Sequence, residues 1–114
     1  SPLFKGRVDR ATHRQEKLEA ALAAGHFQTV AELSWEELWD MHSLFHTSQP
    51  PFFYFAPQTL AVLRWVEDAW EKTGTGPIAT IDAGPNVHLL VPETEADRYR
   101  KLSIPGVRLM ESRA

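Results

Sequence analysis

The sequence predicts an α+β fold, an antiparallel sheet with helices packed on one face. Three observations carry this. Segments with three-and-four apolar spacing come first and fill the chain to about Lys72. Two short apolar runs then flank the turn Gly84-Pro85-Asn86. A short polar helix and an alternating segment follow. Helices first, then strand, strand, helix and strand favour an antiparallel sheet over alternating βαβ units.

Arg7 to Ala24 is rich in helix formers, with Leu18, Ala21 and Leu22 on one face and Gly25 placed to end the helix. Glu16, Lys17 and Glu19 belong to its solvated side. Phe27 to Thr47 is helical again, with Val30, Leu33, Leu38, Met41 and Phe45 in register. Ser34-Trp35-Glu36-Glu37 matches a capping box, so the chain either breaks at Ser34 or runs on as one helix. Pro50 and Pro51 stop it, and four aromatics follow, Phe52 to Phe55. Such a cluster is expected as core or pocket wall.

Pro57 opens a third helix at an N1-like position, with Leu60, Leu63, Val66, Ala69 and Trp70 as its apolar stripe. Thr73-Gly74-Thr75-Gly76-Pro77 breaks it. These glycines precede a strand, not a helix, so they do not form a phosphate-binding loop. Ile78–Ile81 and Val87–Val91 are the strand pair. A polar helix runs from Pro92 to Lys101, and Val107–Met110 alternates like a last strand.

At 114 residues the chain is one domain, 1–114, able to bury a core of its own. The net charge of −3 gives no reason to expect nucleic acid as a partner. No apolar run is long enough to span a membrane. The absence of cysteine excludes disulfides and thiolate zinc sites and suits a cytoplasmic setting. The chain opens Ser1-Pro2 and runs at once into a helical pattern, so it is expected to be a piece of a longer protein.

Five histidines raise the question of a metal. His42 and His46 share a helix face, but Ser43 stands where a zinc protease needs Glu, and no third ligand is identifiable. His88 lies on a strand beside the Asp82 loop and faces either a pocket or solvent; His13 and His26 carry no signal. Asp82, at a strand end, has two readings. Its carboxylate either bonds the following backbone, or stands at the rim of the sheet, where small Ala83 and Gly84 let a substrate approach and a hydroxyl be oriented or deprotonated.

"MHSLFHTSQPPFFYF", Met41 to Phe55, followed after one helix by "TIDAGPNVHLLV", resembles the C-terminal half of diphosphomevalonate decarboxylases. "SPLFKGRV" and "AGHF" extend the resemblance to about Pro92. It implies the ferredoxin-like C-terminal domain of the GHMP kinase superfamily, facing an N-terminal ATP-binding domain across a substrate cleft. It further implies an enzyme of the mevalonate pathway of isoprenoid biosynthesis. In this family ATP, with Mg, phosphorylates the tertiary 3-hydroxyl of mevalonate diphosphate. Loss of that phosphate with carbon dioxide then gives isopentenyl diphosphate. Carried over, the catalytic Asp is Asp82, with Ala83 and Gly84 lining the substrate. The family's ATP loop, Lys and substrate Arg have no counterpart here, and no Lys/Arg cluster fit to hold a diphosphate is visible, so the chain alone is expected to be inactive. Phosphomevalonate decarboxylases, which take the monophosphate, and mevalonate 3-kinases share the scaffold. His88 stands where many bacterial members carry Lys. A non-catalytic module using "FFYFAP" as a contact surface is the alternative, and an exposed cleft face would permit a homodimer.

Overall fold

The computed structural model describes residues 1–112. Helix α1 spans Phe4–Ala24, α2 Phe27–His46 and α3 Pro57–Thr73. Strands β1, Ile78–Ile81, and β2, Val87–Leu90, follow, and a single 3₁₀ turn, Glu93–Glu95, leads into α4, Ala96–Arg100.

Gly25 ends α1 in the left-handed conformation, φ 70°. Its N–H donates to the Leu22 carbonyl at 3.1 Å and that of His26 to the Ala21 carbonyl at 2.9 Å. This doubly bonded cap reverses the chain in two residues. Helix α2 therefore returns antiparallel along α1, and Ala21 packs with Val30 and Leu33. Helix α2 does not break at Ser34. Leu33 and Leu38 are both buried, the first against α1 and the second in the main core, so continuing the helix keeps both contacts.

Charge holds the other end of the α1–α2 pair. Arg7, Arg10 and Arg14 project from α1 onto Glu37 and Asp40 of α2. Asp40 accepts from Arg10 Nη2 at 2.7 Å and from Arg14 Nη1 at 3.0 Å, with its side chain only 9% exposed. Bonding to Arg10 and then Arg14, with the charge of Arg7 beside it, lowers the Asp40 pKa from 3.8 to about 2 against the opposing effect of burial. Glu37 is lowered too, chiefly by its bond to Arg7.

Strands β1 and β2 pair antiparallel, Ala79 opposite Leu89 and Ile81 opposite Val87. Those four residues meet Leu38 of α2 and Val62, Leu63 and Val66 of α3, forming the main core. The α+β arrangement is as expected, but three details differ. The buried face of α3 is Thr59, Val62, Leu63 and Val66, while Leu60 is 51% exposed. The stripe is turned because β2 and the loop before it pack on that side. Val107–Met110 forms no strand: the Val107 N–H turns back to the Ile104 carbonyl at 3.0 Å, and Met110 is 78% exposed. Only Val107 finds the core, so the alternation has nothing further to bury. Phe52, Phe53 and Tyr54 are exposed rather than core, although Tyr54 also meets the buried His42 edge-on; of the four only Phe55 packs against the main core.

Gly76 is held by crowding. A Cβ there would lie 2.5 Å from Trp70 Nε1, which donates to the Pro77 carbonyl at 2.9 Å. Gly76→Ala should therefore lower stability by roughly 1–3 kcal/mol, read as a fall in urea midpoint. Asp40→Asn should lose about 2 kcal/mol at neutral pH. Because the folded pKa is depressed, that contribution is full above the unfolded value of 3.8 and is lost as pH falls through about 2. Urea melts of parent and variant should differ at pH 7 and converge toward pH 2.

Candidate functional site

The site grows from the end of β1. Alternation sends Ala79 and Ile81 into the core at 2% and 3% exposure, and puts Thr80 on the opposite face, across from His88. Asp82 follows on that same open side, one residue beyond the last core anchor, and its side chain is 94% exposed. The loop is closed by its backbone: the Gly84 N–H donates to the Asp82 carbonyl at 2.9 Å. The carboxylate is not tied into the turn. His88 Nε2 stands 3.8 Å from it, beyond hydrogen-bond length, on a side chain 57% exposed.

Ala83 is exposed and Gly84 half-buried. Neither a positive φ nor crowding demands glycine at 84, where a Cβ would meet nothing within 4 Å. The loop thus has open space around Gly84.

An open cavity of about 320 Å³ adjoins Asp82, lined by Thr80 and Ile81, by Arg14 and Gln15 of α1, and by Ser34 and Met41 of α2. Arg14 reaches it while bonded to Glu37 and Asp40. The three arginines do cluster in space. Facing Glu37 and Asp40, they are committed to holding the helix pair rather than offered to a phosphate.

Two residues that periodicity and motif left without a role lie against this loop. Thr59, 2% exposed, accepts from the Ala56 N–H at 3.0 Å and donates to the Pro85 carbonyl at 2.7 Å. It couples the start of α3 to the Asp82 loop. The only hint in the sequence is a hydroxyl at the third position of a Pro-initiated helix. His42 is completely buried. Its ring stacks on Phe55 at 4.8 Å and meets Phe45 edge-on at 5.2 Å. The backbone of Ile81 and Asp82 is its polar neighbour, yet neither ring nitrogen has a hydrogen-bond partner among the described residues. Burial lowers its pKa, so the neutral imidazole is the favoured form. An unpaired buried N–H costs roughly 1–3 kcal/mol.

His46 is exposed and packs on Phe55 with His42, ring centroids 6.5 Å apart. Among the described residues no group of three His, Cys, Asp or Glu could hold a metal ion. No helix there is long and apolar enough to cross a membrane.

Residues 1–104 match the family model of the mevalonate 5-diphosphate decarboxylase C-terminal domain. A mevalonate diphosphate decarboxylase from Legionella pneumophila superposes with TM-score 0.82 and 38% identity, over 89% of this chain and 32% of that one. A diphosphomevalonate decarboxylase of Gibberella zeae is 34% identical over 99 residues, 85% of this chain and 26% of its own. MDDEF in complex with MVAPP, AMPPCP and magnesium superposes with TM-score 0.81 and 27% identity, over 88% of this chain and 30% of that one. The chain spans about a quarter to a third of the length of these relatives. With an α+β scaffold that carries an unencumbered carboxylate on a strand-end loop, the chain belongs to the family of mevalonate 5-diphosphate decarboxylase C-terminal domains.

Proposed function

We propose that this domain supplies the hydroxyl-orienting carboxylate of an ATP-dependent decarboxylase that converts mevalonate diphosphate to isopentenyl diphosphate. The observation that carries the reading is the exposure of Asp82. Its carboxylate is 94% exposed on a strand end whose neighbour Ile81 is anchored in the core. A group held this way keeps its aim and still meets a ligand.

A tertiary alcohol is a poor nucleophile, and its hydroxyl is a poor leaving group. Asp82 addresses the first difficulty by accepting the bond from the 3-hydroxyl and holding that oxygen in line with the γ-phosphoryl of ATP. It orients first and takes the proton second. Once the oxygen carries the phosphoryl group, phosphate leaves with the C–O bond electrons. The C–C bond to the carboxylate breaks as carbon dioxide departs, and its electrons form the alkene. Ala83 and Gly84 leave room for the substrate beside the carboxylate.

ATP supplies the phosphoryl group, and Mg neutralises its phosphates. The described residues offer neither a glycine-rich loop opening a helix nor a metal-ligating group. On the family resemblance we assign both to an N-terminal ATP-binding domain, the proposed partner without which this chain is inactive. We assign the diphosphate to that domain as well, a reading supported by Arg7, Arg10 and Arg14 being held by Glu37 and Asp40. Small charged metabolites as substrates and a chain without cysteine suit a cytoplasmic enzyme. The exposed Phe52, Phe53 and Tyr54 favour a contact surface, either to that domain or to a second copy in a homodimer.

In the full-length protein carrying this domain, Asp82→Asn should cut turnover of mevalonate diphosphate by about 10²-fold or more. The thermal midpoint should hold, because so exposed a side chain contributes little to folding. Coupled assays of phosphate and carbon dioxide release check this. Normal turnover by the variant on both the mono- and the diphosphate would sink the proposal.

A further inference from the structure

We propose that His42 is a positioning residue for Asp82, acting through the backbone at Ile81 and Asp82, with Thr59 holding the far side of the same loop. This rests on the reading of Asp82 given above. His42 is completely buried, and Phe55, Phe45 and Tyr54 surround its ring. Three aromatic walls fix the plane of the imidazole and leave one polar side, the end of β1. As a packing element the residue is a poor choice. A phenyl ring would fill the slot without desolvating two nitrogens, and neither nitrogen gains a bond in return.

The nitrogens make sense as partners of the loop in its working position. The imidazole lies against the backbone of Ile81 and Asp82, close enough to be polarised by it, but neither nitrogen meets it in full hydrogen-bond geometry. A small settling of the loop onto bound substrate closes that gap. The bond then forms only when the carboxylate is in place, so its energy favours the reacting geometry over the resting one. Thr59 supplies the complementary restraint. Its hydroxyl already donates to the Pro85 carbonyl at 2.7 Å, which limits the settling to the Asp82 end. A metal on His42 is not the explanation, because the described residues offer no set of three ligands.

The test uses the full-length protein with ATP, magnesium and mevalonate diphosphate. His42→Phe should keep or raise the thermal midpoint while kcat falls roughly 10- to 100-fold at nearly constant KM. Thr59→Val should lower kcat in the same way, and Thr59→Ser should restore it. In an Asp82→Asn background, His42→Phe should add nothing, since both changes remove the same aimed group. A packing role alone predicts a kcat loss that persists in the Asp82→Asn background. A folded His42→Phe with parental kcat overturns the inference, as does a loss that multiplies with that of Asp82→Asn. If His42→Phe does not fold, the Thr59→Val and Thr59→Ser pair decides: a kcat loss without rescue by Ser, or no loss, overturns it. Full turnover by Asp82→Asn alone overturns the catalytic reading itself, an outcome separate from these.

Discussion

The site depends on the burial of one side chain. Ile81 is 3% exposed and packs with Leu38, Val62, Leu63 and Val66, while the next residue, Asp82, is almost wholly in solvent. In a strand, successive side chains leave on opposite faces, so burying the first commits the second to the other side. Backbone geometry converts the hydrophobic gain of seating Ile81 into the aim of a carboxylate. A slip of one residue in the β1–β2 register would exchange the two roles, and burying the acid would be prohibitive.

The two halves of the helical layer are held by different physics. Near the Gly25 reversal, apolar contact among Ala21, Val30 and Leu33 joins α1 to α2. At the far end the joint is ionic, with Asp40 nearly buried among three guanidinium groups. A buried carboxylate is tolerable there because its lone pairs are fully engaged. The same engagement leaves the Asp82 cavity with an arginine at its wall but little free positive charge to offer an anion.

Much of this was legible in the sequence. The helices and strands follow from periodicity and breakers: Gly25 and Gly74 both end helices with positive φ, and the Gly-Pro-Asn turn joins β1 to β2. The motif "TIDAGPN" singled out Asp82, Ala83 and Gly84 by resemblance, and the fold places them in one accessible loop. What was not legible needed three dimensions. Arg7, Arg10 and Arg14 already had helical spacing, but nothing local shows that α2 returns Glu37 and Asp40 to them. Thr59 and Pro85 are 26 residues apart, and only the packing of α3 on the hairpin brings them together. The spacing of His42 and His46 left packing and surface placement both open, because it reports a shared face, not depth. The aromatic run was expected as core or pocket wall because hydrophobicity does not say whether a partner surface lies within the same chain. Val107–Met110 has strand alternation but only one residue with a core to reach.

The Thr59–Pro85 bond also bears on how this loop can change over generations. Both ends of Asp82–Asn86 are locked into paired strands and its middle is fastened to α3. An inserted codon would have to bulge out, detach the tether or invert the facing of His88 and Leu89. The Thr73–Thr75 bend is exposed and bonded only within itself and to the helix before it, so it has no such fastening. Length variation among descendants should therefore collect at that bend, while the hairpin loop keeps its residue count even where its side chains drift.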